Sequence, residues 1–201
     1  MVAAVPRKCG TLTLPPTLGA DVLRVVNQIL GGGAASRLFG ELRERQGLTY
    51  GAYSQLDCGL WGGDLTASML VDPPKLSRAL KSFSQEMDRI GTGDITETEL
   101  NEAIDYLVGS FPQRASGLAG VSSLSMAAWL HSLPENVWRD YQADLKRVTV
   151  DQAQLLARKW IPTTDLSWVV CGSPNALDES RPILEGMGKP VQHVEIASLV
   201  D

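Results

Sequence analysis

The sequence has few residues that bind metals or form disulfides. Only two histidines, His131 and His193, occur among its 201 residues, and neither an HExxH nor an HxxEH motif is present. A catalytic zinc ion needs three protein ligands, so we expect no metal site and no cofactor in this chain. The three cysteines, Cys9, Cys58 and Cys171, are far apart and form no CxxC pair, which predicts buried, reduced thiols. Zinc-dependent catalysis by this chain alone is therefore not expected.

Long runs of charged or apolar residues are also missing. The 18 Lys and Arg residues form no basic cluster and the formal net charge is −5, which argues against nucleic acid as a partner. No stretch approaches the roughly 20 apolar residues of a membrane span, so no membrane partner is expected. The first residues, MVAAVPRKCGTLTL, lack the continuous apolar region of a signal peptide, which predicts a cytoplasmic location.

The order of the predicted elements indicates one α+β domain. Strands are predicted at 10–14, in a hairpin of 48–55 and 65–71, and at 166–171. The hairpin is expected to have one buried face, because apolar residues alternate with others along its second strand, at Leu65, Ala67, Met69 and Val71. Strands do not alternate singly with helices, so we expect an antiparallel sheet packed on one side by several α-helices. We place this domain at residues 1–173 and a tail with one short helix at 174–201. Helical periodicity covers the segments 21–30, 37–46, 76–90, 96–111, 118–130, 134–145 and 149–160. The sequences TETE at 96–99 and TVDQ at 149–152 predict capping boxes at two of these helix starts.

Glycines follow each of the first two predicted helices. Gly31, Gly32 and Gly33 follow the first helix, and Gly47 is placed to end the second in a left-handed conformation, with Ser36 as the N-cap. Three glycines in a row could form a mobile loop past which a peptide backbone slides. They could equally form a helix end and a tight link between two helices. The sequence leaves both interpretations open.

One segment resembles a known family. Residues 27–50, NQILGGGAASRLFGELRERQGLTY, are similar to the LGGG–SSRLF–ELRE–GLxY pattern of the C-terminal half of M16 metallopeptidases, the pitrilysin and mitochondrial-processing-peptidase-like enzymes. The likeness continues in TETEL and YLVGSF between residues 96 and 111, and in LSWVVCG at 166–172, so that it covers roughly residues 10–173. The resemblance implies one LuxS/MPP-like metallohydrolase half.

The resemblance also implies a division of work between two halves. The other half carries HxxEH and the zinc, whereas this half contributes an Arg and a Tyr seven positions apart, which are Arg43 and Tyr50 here. These two are implied as catalytic groups that position substrate and stabilise the transition state. A substrate-binding segment is implied around the glycines, although Arg37 is more simply explained as a structural contact across the two halves. That implied segment consists of Gly31, Gly32, Gly33, Ser36 and Arg37.

The residue chemistry suits this role without proving it. Hydrolysis of an amide places negative charge on the former carbonyl oxygen, and each hydrogen-bond donor aimed at that oxygen stabilises the transition state by about 2.7–4 kcal/mol. Because Gly47 should end the helix, the chain can fold Arg43 towards Tyr50. From the residues alone, Arg43 could equally be a solvated helix residue and Tyr50 a strand-end aromatic.

The resemblance, taken with the residues, leaves three functions open. The leading hypothesis is a substrate-binding, zinc-less half that works with an HxxEH-bearing partner and a peptide substrate. The alternative is a non-catalytic structural or interaction subunit. A weaker third is a homodimer that pairs through an exposed sheet edge and binds peptides without cutting them.

Overall fold

The computed structural model describes residues 2–6, 18–58, 63–161, 166–188 and 191–194. The strands in these residues are β1 (Val2–Pro6), β2 (Thr49–Cys58), β3 (Gly63–Val71) and β4 (Leu166–Val170). The α-helices are α1 (Leu18–Gly31), α2 (Arg37–Phe39), α3 (Leu76–Gly91), α4 (Glu97–Arg114), α5 (Gly117–Leu130), α6 (Val137–Leu145), α7 (Val150–Trp160) and α8 (Pro174–Gly186). A π-helix, Gly40–Arg45, continues α2, and a 3-10 turn, Pro73–Lys75, precedes α3.

The four strands form one antiparallel sheet in the order β2-β3-β1-β4, which places β2 at an edge. The sequence analysis missed β1, and the strand predicted at 10–14 lies outside the described residues. Strand β1 is short and ends at Pro6, and its partners β3 and β4 lie more than 60 residues along the chain. Long-range pairing, rather than a local pattern, therefore makes this segment a strand.

Helices cover one face of the sheet. Leu65, Ala67 and Met69 of β3 are buried beneath them, as the alternation in the sequence predicts. Phe83 of α3 contacts Trp168 of β4 edge-on, with 5.6 Å between ring centroids. The predicted α+β class, with helices on one side of an antiparallel sheet, is confirmed. The largest fully buried side chains of this core include Leu30, Leu38, Leu42, Leu80, Phe83, Met87 and Ile90.

Two helices begin with the predicted capping boxes. The Thr96 N–H donates to Glu99 Oε2 at 3.0 Å, and the Glu99 N–H donates to Thr96 Oγ1 at 3.3 Å, at the start of α4. Thr149 and Gln152 make the same reciprocal pair at the start of α7, at 3.0 and 3.3 Å. These local bonds satisfy backbone donors that a helix start otherwise leaves unpaired.

The segment after residue 173 contains α8, which packs against the domain. Ala176, Ser180 and Leu184 are buried on its inner side. The division into a domain of 1–173 and a tail of 174–201 stays a prediction. The expectation that the thiols are buried is wrong for Cys171, which is exposed where β4 ends and the chain turns into α8.

Helix α5 differs from the other helices in its environment. None of its residues is buried, and its 14 residues, GLAGVSSLSMAAWL, include no charged side chain. Leu118 and Trp129 are 86% and 78% exposed. No helix in the described part of the chain is both long and apolar enough to cross a membrane.

Candidate functional site

The helix that carries Arg43 is irregular. The sequence predicts one α-helix over 37–46, but only residues 37–39 are α-helical and Gly40–Arg45 form a π-helix. The Gln46 N–H accordingly donates to the Glu41 carbonyl five residues back, at 3.2 Å. Single π turns often occur at functional sites. Gly47, with φ of +60°, ends the helix as predicted and sends the chain into β2.

A β-bulge presents Tyr50 at the start of β2. Thr49 pairs with Val71 and Gly51 with Leu70, which leaves Tyr50 as the extra residue between two successive pairs. The Thr49 hydroxyl accepts from the Gly51 N–H at 3.1 Å and donates to the Leu70 carbonyl, which satisfies backbone groups at the irregularity. Bulges re-aim side chains. Tyr50 is 84% exposed, whereas Thr49 and Ala52 beside it are buried.

The π-helix and the bulge together bring Arg43 and Tyr50 into contact. The guanidinium carbon of Arg43 lies 4.7 Å from the ring centroid of Tyr50 and also 4.7 Å from that of Phe39. Cation–π contacts at exposed sites contribute about 0.5–1 kcal/mol. The carboxylate of Glu44 is 3.4 Å from Arg43 Nε, a long contact at the surface. The structure thus places the two predicted side chains together, while their roles stay a prediction.

Sequence reasoning missed two aromatic residues next to this pair. The Tyr53 ring lies 5.6 Å from that of buried Phe39, and Tyr53 is 47% exposed. The Tyr53 ring also covers Gly51, where a Cβ would approach Tyr53 Cε2 to 2.6 Å. A lone glycine inside a predicted strand indicates a bulge or a close approach of another group to the backbone. Gly51, inside the strand predicted at 48–55, could therefore have pointed to this aromatic contact. We call Phe39, Arg43, Tyr50 and Tyr53 the Arg–Tyr surface.

The glycine segment lies at the end of α1. A Cβ on Gly31 would approach Ser54 Oγ to 2.6 Å and would collide with the Ser54 backbone nitrogen, because α1 ends directly against β2. A Cβ on Gly32 would approach Gln28 Cα to 2.7 Å. None of the three glycines Gly31, Gly32 and Gly33 has a positive φ angle, so they do not form a left-handed helix cap.

The other members of this segment are held by contacts inside the chain. Ser36 stands at the N-cap position, but its hydroxyl donates to the Gly33 carbonyl at 2.6 Å and does not cap the helix. Gly33 is partly exposed, and a Cβ there would lie 4.0 Å from the Tyr106 hydroxyl. Packing therefore accounts for Gly31 and Gly32. The proposed contact of this segment with a peptide stays a prediction.

Arg37 is bound within its own chain. Its Nε and Nη2 donate to the two carboxylate oxygens of Glu99 at 2.6 and 2.9 Å, and Nη2 also donates to the Asp94 carbonyl. Burial raises the pKa of Glu99, but hydrogen bonds from Arg37 and Thr96 outweigh that effect and lower the pKa to about 2. The sequence analysis favoured a contact of Arg37 across two halves. The structure has an ion pair between α2 and α4, in which the Arg37 side chain is nearly buried and the Glu99 carboxylate is partly exposed. A contact of Arg37 across two halves stays a prediction.

The described residues do not fit a zinc ion. Among them, no group of three or more His, Cys, Asp and Glu side chains could hold a metal. His131 follows the end of α5, and His193 is exposed near the C-terminus. No step of a reaction is therefore assigned to a metal on this chain.

Comparison with known proteins identifies the family. Residues 13–107 match the family described as the peptidase M16 inactive domain. The chain belongs to this family. The curated relatives that match the M16 chain include an uncharacterized zinc protease of Streptomyces coelicolor, which is 32% identical over 144 residues. That match covers 67% of this chain and 29% of the relative, so the chain spans less than a third of the relative's length.

Solved structures share the fold. A peptidase M16 inactive domain from Pseudomonas fluorescens superposes with a TM-score of 0.72 at 23% identity, covering 86% of this chain and 42% of that one. A chain of complex III2 from Candida albicans gives a TM-score of 0.65 at 13% identity, covering 83% of this chain and 41% of that one. At such identities the likeness establishes the fold of the M16 domain and nothing beyond it.

Proposed function

We propose that this M16 domain is the substrate-binding, zinc-less half of an M16-type zinc metalloendopeptidase. It positions an extended peptide and stabilises the oxyanion, while a zinc-bearing partner half activates the water. The contact between Arg43 and Tyr50 carries the proposal. Their side chains come from a π-helix and a bulged edge strand, and the guanidinium carbon lies 4.7 Å from an exposed phenol ring.

The chemistry of the pair suits a peptide backbone. A guanidinium is always charged and offers five N–H donors, and a Tyr hydroxyl is a neutral donor. Packing against Phe39 and Tyr50 restricts the Arg43 side chain before any ligand arrives, which lowers the entropy lost on binding. The carboxylate of Glu44 lies beside Arg43, with 3.4 Å between its Oε1 and Arg43 Nε. Because this contact is exposed, a peptide carbonyl can compete with it for the guanidinium.

The partner half completes the proposed enzyme. Among the residues that the structure describes, no group of side chains could hold zinc. The zinc protease relative from S. coelicolor extends well beyond the matched segment. The metal and the general base are therefore assigned to the partner. The glycine segment is proposed to support substrate through Gly33, which is partly exposed between α1 and α2. Ser36 and Arg37 are proposed to hold this segment in place through their contacts inside the chain.

A mixing assay tests the proposal. The chain is combined with the part of the S. coelicolor zinc protease that lies outside the matched segment, and cleavage of unstructured peptides is measured for each component and for the mixture. We expect cleavage only in the mixture. Arg43→Ala and Tyr50→Phe should lower kcat/KM by about 100-fold, the usual effect of losing one oxyanion donor.

A matched variant controls for surface and folding effects. Arg45→Ala removes an exposed arginine of the same π-helix, outside the proposed binding residues, and should keep the wild-type rate. Unchanged cleavage in Arg43→Ala and Tyr50→Phe would contradict the proposal.

A non-catalytic structural subunit is the second candidate, and helix α5 favours it. Its exposed, uncharged side chains are typical of a surface buried in an assembly. In that case the chain binds its partner, and the Arg43 and Tyr50 variants change nothing. A homodimer that pairs through the edge of β2 would instead be detected as a doubled mass of the chain alone.

A further inference from the structure

We propose that α5 is the docking surface for the zinc-bearing half. This inference rests on the proposed function, because it presumes that the partner exists. The surface, called here the α5 outer face, consists of the exposed apolar side chains Leu118, Val121, Met126, Trp129 and Leu130.

The α5 outer face is one side of a helix. Leu118, Val121 and Trp129 stand at positions i, i+3 and i+11, which lie within about 80° of one another around an α-helix. Met126 and Leu130 extend the same side, and two exposed serines, Ser122 and Ser125, lie among these apolar side chains. Gly120 and Leu124 lie on the other side, where Leu124 is partly buried against the core. Exposed apolar side chains gathered on one side of a helix mark interaction sites.

The helix is held firmly enough to act as a preformed surface. The indole N–H of Trp138 on α6 donates to the Leu124 carbonyl at 2.8 Å. A Cβ on Gly120 would collide with the Arg114 carbonyl oxygen, so the start of α5 packs closely on the end of α4. Beyond the helix, the Leu133 N–H donates to the Ala128 carbonyl at 2.9 Å. Binding therefore requires little ordering of this element, which favours affinity.

The length of the relatives favours the other half of an M16 protein as the occupant. The matched segment makes up 29% of the S. coelicolor relative, which is named a zinc protease, so most of that protein lies outside the match. A helix that binds a membrane surface carries Lys or Arg on its polar side, and α5 has neither. Trp and Met are enriched in the centres of protein interfaces, where charged residues are depleted. The uncharged α5 outer face fits such a centre.

The experiment measures binding to the part of the S. coelicolor zinc protease outside the matched segment, which is proposed to be the zinc-bearing half. Amide hydrogen exchange on the chain, alone and mixed with that half, should show protection of residues 117–130. Trp129→Ala and Leu118→Ala should weaken the affinity at least about tenfold, as for residues at the centre of an interface. Leu155→Ala is the matched control, because Leu155 is a 61% exposed leucine on α7, outside the proposed surface. All three variants should keep the wild-type melting temperature, since the changed side chains are exposed.

Several outcomes would overturn the proposal. Wild-type affinity in both α5 variants would do so, as would protection confined to other elements or no binding of the wild-type chain. A dimer of the chain alone that Trp129→Ala converts to monomer would assign the α5 outer face to a second copy. The two proposals can also fail separately. If Arg43→Ala abolishes cleavage and the α5 variants bind normally, only the docking surface is wrong. If the α5 variants lose binding and Arg43→Ala cleaves normally, only the proposed function is wrong.

Discussion

Replacing Glu99 with glutamine should destabilise the domain in a pH-dependent way. Glu99 accepts two hydrogen bonds from the guanidinium of Arg37, and its Oε2 also accepts from the Thr96 hydroxyl at 2.7 Å. Arg37 is nearly buried, with 7% of its side chain exposed. Glu99→Gln keeps the size of the side chain but removes the negative charge. The variant therefore leaves the Arg37 cation without its principal counter-charge.

The lowered pKa sets the size of the effect. The fall in pKa from 4.5 to about 2 corresponds to roughly 3–4 kcal/mol before solvent screening, at about 1.36 kcal/mol per pKa unit. Because the carboxylate is partly exposed, solvent screening reduces this contribution to about 1–2 kcal/mol. We expect Glu99→Gln to lower the free energy of unfolding at pH 7 by that amount.

The sign of the pH dependence follows from the direction of the shift. The pKa of Glu99 is lower in the folded state than in the unfolded state, so the pair stabilises the fold fully above about pH 4.5. That contribution is lost as the pH falls from about 4.5 to about 2. Urea unfolding followed by circular dichroism at pH 7, 4 and 2.5 should therefore give wild-type and Glu99→Gln curves that converge in acid.

A second carboxylate in the same helix turn is the control. Glu97 is exposed in the first turn of α4, so Glu97→Gln removes a similar interaction with the helix dipole without touching Arg37. Glu97→Gln should lower the free energy of unfolding by no more than about 0.5 kcal/mol. The reasoning is refuted if both variants lose the same free energy, or if the difference between Glu99→Gln and wild type is the same at pH 7 and pH 2.5.

Two further changes test the packing. Gly31→Ala should lower the free energy of unfolding by about 1–3 kcal/mol, because the added Cβ would meet the backbone and hydroxyl of Ser54. Gly40→Ala is the control, because no atom lies within 4 Å of a Cβ at that position. In the same urea titration it should be neutral or slightly stabilising. Equal losses for these two would contradict the close approach of α1 to β2. Deletion of residues 174–201 should lower the free energy of unfolding by more than about 2 kcal/mol, because it uncovers the surface that buried Ala176 and Leu184 occupy. Unchanged stability after this deletion would support the predicted division at residue 173.

Local patterns predicted the parts of the fold that depend on local interactions. The alternation of Leu65, Ala67 and Met69 identified β3 and its buried face. Thr96 and Thr149, each followed three residues later by Glu or Gln, identified two helix starts to the residue. In these segments the same few neighbouring residues determine both the pattern and the structure. The resemblance to M16 proteins then led to the correct family and fold class.

Contacts between distant segments could not be predicted in this way. Arg37 and Glu99 are 62 positions apart, and no pattern at either residue indicates the other. Strand β1 likewise takes its identity from partners at β3 and β4. The contact of Arg43 with Tyr50 was expected only in outline. The π-helix and the bulge that produce it are irregularities of one residue, which helical and strand periodicity do not detect.

Because of the π-helix and the β-bulge, the directions of the Arg43 and Tyr50 side chains can change while the fold stays the same. Each adds one residue to an otherwise regular element, and neither Arg43 nor Tyr50 belongs to the buried core. Removal of one residue from the π-helix would restore α-helical spacing and turn Arg43 by roughly 100° about the helix axis. Related proteins can therefore lose or regain the paired side chains through a one-codon deletion or insertion while the sheet and its helices keep their arrangement.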